Sequence, residues 1–103
     1  MYSHQKFSEA KKIDIPVDAR QILKNDYNEI ILISLQKDEE IAVHDNPFDV
    51  SFIGIEGKAE LTLDGKKMIV EQFDTITISN GHQRGLKNSD DKTFKVAVIK
   101  KLI

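Results

Sequence analysis

Few side chains in this 103-residue chain can move a proton or fix an anion, so their positions matter. There are three histidines (His4, His44 and His82) and two arginines (Arg20 and Arg84), against thirteen lysines. His44 is followed at once by Asp45 and Asn46, with Asp49 three residues further on. Asp45 and Asp49 are out of phase with His44, so strand alternation aims them at the opposite face, unless a bulge at Asn46-Pro47 turns Asp49 inward. His82 lies two residues before Arg84, a spacing that puts both on one face of a strand. His4 stands in an N-terminal stretch expected to be mobile and is expected to take no part. No cysteine is present, which excludes disulfides, thiolate nucleophiles, Cys-ligated zinc and iron–sulfur clusters. No serine has a histidine–acid pair at a recognisable spacing, and there is no glycine-rich phosphate loop.

The chain is long enough for one core and too short for two. Its 15 basic and 17 acidic side chains leave a formal charge of −2, which rules out the basic field used for non-specific nucleic-acid binding. The longest aliphatic run, residues 30–33, is far short of the ~20 apolar residues of a membrane helix. No apolar segment follows the N-terminal residues as a secretory signal would require. The expectation is a soluble, cytoplasmic protein that engages neither nucleic acid nor membrane.

The elements that must position these side chains repeat with a period of two. Residues 58–63 alternate polar and apolar, and Asp64-Gly65 is a favoured two-residue hairpin turn leading back through residues 67–71. Residues 75–78 alternate again and stop at Ser79-Asn80-Gly81. In residues 93–100, Phe94, Val96 and Val98 share one face. Upstream, residues 29–35 read as a strand, residues 37–40 as a charged turn, and residues 41–45 as a strand broken by Asn46-Pro47. In residues 48–55, Val50, Phe52 and Gly54 fall on one inner wall, with Gly54 expected at a bend or a close backbone approach. Phe48, Phe73, Leu86 and Phe94 are expected in the core or a dimer interface. Residues 18–25 can hold one short helical turn, with Asp18 as its N-cap. About eight short strands separated by turn signals indicate an all-β sandwich or barrel.

Over residues 38–88 this pattern resembles a small cupin, a double-stranded β-helix with a jelly-roll-like barrel. The first motif of that family places Gly, His-x-His, Glu and Gly where this chain has Asp38, His44, Asn46, Val50 and Gly57. The second places Gly, Pro-x-Gly, His and Asn where it has Phe73, Ser79, Gly81, Arg84 and Asn88. The fifteen residues between Gly57 and Phe73 match the family's compact bacterial members. The resemblance implies a single cupin domain over residues 1–103, with residues 1–11 as an N-terminal arm, and a homodimer.

The resemblance also implies where a site would lie. Metal-binding cupins hold a divalent ion with three histidines and a glutamate, and only His44 is kept of those four. Arg84 puts a permanent cation where an imidazole should sit, so no metal cofactor is expected. Inside the barrel His44, Asn46 and Arg84 would converge on a small polar or anionic ligand. Arg84 would be a bidentate clamp, His44 and Asn46 orienting partners, and His82 would join at the mouth. Were the protein an enzyme, His44 could move a proton and Arg84 stabilise an oxyanion. Three alternatives stand beside this reading. One is a metal-dependent isomerase or dioxygenase with a site rebuilt from His44, His82 and Asp49 or Asn46. Another is a sensory or scaffold module, and the last a decayed site whose polar groups satisfy each other.

Overall fold

A computed structural model describes residues 1–45 and 47–103. Alternating apolar residues make nearly all the regular structure of the described residues strand. In chain order the strands are β1 (Lys11–Lys12), β2 (Asp18–Lys24), β3 (Asn28–Leu35), β4 (Glu40–His44), β5 (Asp49–Glu56), β6 (Ala59–Leu63), β7 (Lys66–Val70), β8 (Thr75–Ile78), β9 (Arg84–Lys87) and β10 (Phe94–Lys101), preceded by one 3-10 turn at Phe7–Glu9. A six-stranded sheet in the order β1-β2-β3-β10-β5-β8 faces a four-stranded sheet in the order β4-β9-β6-β7. The result is the expected double-stranded β-helix barrel.

Each strand sends every second side chain between the sheets. Ile31, Ile33 and Leu35 of β3, Val50 and Phe52 of β5, and Val96 and Val98 of β10 pack with Leu61 of β6, Val70 of β7 and Leu86 of β9. Phe94 and Leu86 are core residues as expected, and Phe48 packs against the core, whereas Phe73 lies on the surface of the chain. The Asp64-Gly65 turn joins β6 to β7 with positive φ at both residues (49° and 82°), as the hairpin requires. Gly54 has a structural role, because a Cβ there would lie 2.1 Å from the carbonyl oxygen of Glu71.

The four motif positions that hold glycine in the resembling family all take left-handed backbone here: Asp38 (φ 66°), Gly57 (φ 72°), Phe73 (φ 66°) and Gly81 (φ 91°). Two have lost the glycine and kept its conformation. Asn88, fully buried, ties the motifs together: its Nδ2 donates to the carbonyls of Leu35 and Lys92 (2.9 Å each), and its Oδ1 accepts from the Asp90 amide.

Residues 18–25 are not helical. They form β2, paired with β3 from Asp18↔Ser34 to Lys24↔Glu29. Asp18 accepts a bond from Arg20 Nε and caps nothing, while Val17 and Ala19 are buried. A helical turn would leave the β3 backbone edge unpaired, and the ladder overrides the local capping signal. Nor does the N-terminal arm hang free. Gln5 Nε2 donates to the Gln21 carbonyl, Arg20 lies over the Phe7 ring, and β1 continues the sheet beyond β2.

Two substitutions test this account. Gly54→Ala is expected to destabilise the chain by about 1–3 kcal/mol, since the Glu71 carbonyl must move. Phe73→Asn is expected to stabilise it by roughly 0.5–1 kcal/mol, because left-handed backbone costs Asn less. Urea midpoints at constant slope measure both, and a loss of stability in Phe73→Asn would contradict the strain assigned to that turn.

Candidate functional site

Between the sheets lies a cavity of about 200 Å³. Its walls are mostly branched aliphatic side chains, and the charged or titratable residues on them are His44, Arg84 and Lys100. Two of these three were expected from the sequence.

A backbone irregularity brings His44 inward. In a regular strand Ile41 and His44 would point to opposite faces, yet both line the cavity. The pairing of β4 with β9 steps from Ile41↔Leu86 to His44↔Arg84, so one extra residue on β4 shifts its phase. Gly85 allows the close approach: a Cβ on it would lie 2.9 Å from the Ile41 carbonyl oxygen. The bulge therefore falls inside β4, ahead of the Asn46-Pro47 break where the sequence suggested one. His44 is exposed while lining the cavity, which puts it at the mouth. Its Nδ1 donates to the Ala42 carbonyl (2.9 Å), since a carbonyl can only accept, and neutral His44 keeps its lone pair on Nε2.

Arg84 projects inward from β9 opposite His44 and is only 5% exposed. Its guanidinium sits over the Phe52 ring, 5.6 Å from the centroid. Among the described residues it forms no ion pair and no side-chain hydrogen bond. No buried side-chain nitrogen among the described residues is left without a partner either, so the Arg84 N–H groups open onto the cavity. Burial alone pushes the guanidinium below its ordinary pKa.

Lys100 was missed, although its signal was present: it continues the inward parity of Phe94, Val96 and Val98 to the end of β10. Unlike Arg84 it is partnered. Its Nζ lies 3.7 Å from Glu29 Oε1 on β3, directly across the ladder, and 6.0 Å from the centre of the Phe48 ring. Glu29 also accepts from Gln21 Nε2. Ile13 and Ile15, from the segment between β1 and β2, complete the wall, and no local pattern could have placed them there.

His82 does not join this site. It precedes the first residue of β9, so strand parity does not govern it, and its Nδ1 bonds the carboxylate of Asp64 in the β6–β7 turn. Asp64 also accepts from the Gln83 amide and donates its own amide to the Gln83 carbonyl, clasping the loop to the turn. The bond from His82, then that from Gln83, hold the Asp64 carboxyl below its usual range. Asn46 lies outside the described residues. His4 is exposed in the arm.

Two of the positions that the resemblance gives to metal ligands carry side chains that cannot ligate a cation. Val50 presents hydrocarbon, 2% exposed, and Arg84 a fixed cation. Asp49 accepts from the backbone and side chain of Asn80, away from the core. Among the described residues no group of three or more His, Cys, Asp or Glu side chains is placed to hold a metal ion. No helix among them is long and apolar enough to cross a membrane.

A family profile described as "Cupin domain" matches residues 31–100. Solved structures with the same fold include the polyketide cyclase RemF from Streptomyces resistomycificus, at TM-score 0.87 and 15% identity over 100% of this chain and 81% of that one. An RmlC-like cupin from Shewanella frigidimarina superposes at TM-score 0.85 with 15% identity, covering 99% and 93% of the two chains. KdgF from Halomonas sp. superposes at 0.83 with 12% identity, covering 97% and 94%. At such identities the likeness shows the fold alone. No curated protein sequence matches the chain.

The Asp64 clasp predicts a titration. Because the folded-state pKa is depressed, its contribution to stability is present above the ordinary value of 3.8 and is lost as pH falls through the lowered one. An NMR titration should find the Asp64 carboxyl below 3.8 and find it raised by His82→Ala. The same midpoint in both proteins would mean that His82 does not hold it.

Proposed function

The chain belongs to the cupin domain family, and on that premise we propose that it binds a small anionic ligand inside the barrel without needing a metal. The observation that carries this reading is Arg84, 5% exposed and with no carboxylate partner among the described residues. An unpaired buried charge costs several kcal/mol, and a chain rich in lysine had other cations to place. A carboxylate entering the cavity accepts two parallel N–H bonds from the guanidinium and removes that penalty. The Phe52 ring beneath the guanidinium limits its movement beforehand, so less freedom is lost on binding.

The other groups have supporting roles. His44 borders the ligand at the mouth, and Asn46 is a polar partner of the ligand in this reading. His82, bound to Asp64, is left out.

A stability–function trade follows. Arg84→Met keeps the unbranched stem of the side chain and removes its charge, so the ligand-free protein should become about 1–4 kcal/mol more stable while anion binding is lost. Thermal shifts with millimolar benzoate, hexanoate, oxalate and gluconate, on both proteins, read this directly. Stabilisation by one of these acids that persists in Arg84→Met would overturn the assignment of Arg84, and a less stable Arg84→Met would mark a structural arginine. Metal analysis of protein purified without a histidine tag tests the remaining clause: a stoichiometric ion lost in His44→Ala would replace it with a metal site.

A further inference from the structure

The cavity carries more information than the sign of its ligand. Its charge is settled by which cations already have partners. Lys100 is held across the ladder by Glu29, with side-chain exposures of 22% and 15%, so this pair adds no net charge at the inner wall. Arg84 has no such partner among the described residues. One uncompensated positive charge matches one negative charge, and a second carboxylate would be buried without a counter-ion.

The walls constrain the rest of the ligand. Apart from His44, Arg84 and Lys100, the described lining consists of aliphatic side chains, Phe52 and Gly85. No Ser, Thr, Asn, Gln, Asp, Glu or Tyr side chain is among them. A hydroxylated body would leave its hydroxyls without partners, whereas a hydrocarbon body would meet Ile33, Leu61 and Val98. At ~30 Å³ for each water-sized group, about 200 Å³ accommodates roughly six to eight heavy atoms.

We infer that the ligand class is a monocarboxylic acid with a hydrocarbon body, its carboxylate on Arg84 and its chain among the aliphatic side chains between the sheets. This rests on the reading above that Arg84 takes an anion, and it adds the valence and polarity of the ligand. Ile15 selects for it. That residue lines the cavity from the β1–β2 segment and is 38% exposed, so it contacts the body of a longer acid without being part of the packed core.

Three acids with the same number of heavy atoms, all within that volume, separate the possibilities: hexanoate, the dicarboxylate succinate, and the hydroxylated acid 2,3-dihydroxybutyrate. Isothermal titration of the purified chain should give hexanoate at least ~10-fold tighter binding than either of the others. From butyrate to hexanoate, affinity should rise about 4-fold per methylene, as burial of hydrocarbon requires. Arg84→Met should weaken hexanoate by roughly 100-fold. Ile15→Ser should weaken hexanoate by about 5-fold and leave acetate unchanged. Succinate or 2,3-dihydroxybutyrate binding as tightly as hexanoate, with loss in Arg84→Met, would overturn the inference and leave anion binding intact. Absence of Arg84-dependent binding for all three acids would overturn both.

Discussion

Two sheets packed face to face can exclude water only if the side chains that alternate into the space between them are apolar or are paired there. Nearly every inward row of this protein obeys that constraint, from Ile31, Ile33 and Leu35 on β3 to Val96 and Val98 on β10. The strands, the hairpin turn at Asp64-Gly65 and the Asn88 tie all serve to keep those rows in phase. The same constraint makes the exceptions meaningful, because a charge on an inner face is disfavoured by several kcal/mol unless something compensates it.

Lys100 and Arg84 meet the constraint in different ways. Lys100 lies opposite Glu29 on the neighbouring strand, so its charge is balanced within the sheet, and the Phe48 ring shields it further. Arg84 comes from the other sheet, where its cross-strand neighbours are Leu63 and His44. Neither is an anion. Phe52 supplies an aromatic face, but a ring cannot replace a carboxylate. The molecule thus keeps one guanidinium facing a cavity with apolar walls, and the proposed anion binding rests on that arrangement.

Much of the fold was legible in the sequence because period-two alternation and turn chemistry are local. Seven of the eight strands from residue 28 onward, the hairpin and the inner wall of Val50, Phe52 and Gly54 follow from them. The cupin register was legible too, even where glycine had been replaced, since Asp38 and Phe73 keep the backbone conformation of the residues they stand for. Residues 18–25 misled because an N-cap signal is local, whereas the strand they form depends on the edge of β3, which the rest of the sheet supplies. His82 misled because parity carries no information before a strand begins.

By itself the sequence determined that the chain is an all-β barrel with the positions of a cupin site, and that histidine, valine and arginine stand where ligands would be. The first of those statements depends on alternation and turns along the chain, and the others on the resemblance to the cupin motifs. Tertiary structure alone decided which charges are paired. Glu29 and Lys100 are far apart in sequence and face one another only through the β3–β10 ladder. Ile13 and Ile15 reach the cavity only because β1 and β2 fold back onto the sheet, and His44 turns toward it only because β4 bulges against Gly85. Local alternation sets which side chains point inward. Charge balance depends on neighbours from distant parts of the chain, and the lone guanidinium of Arg84 became evident only when those neighbours were in place.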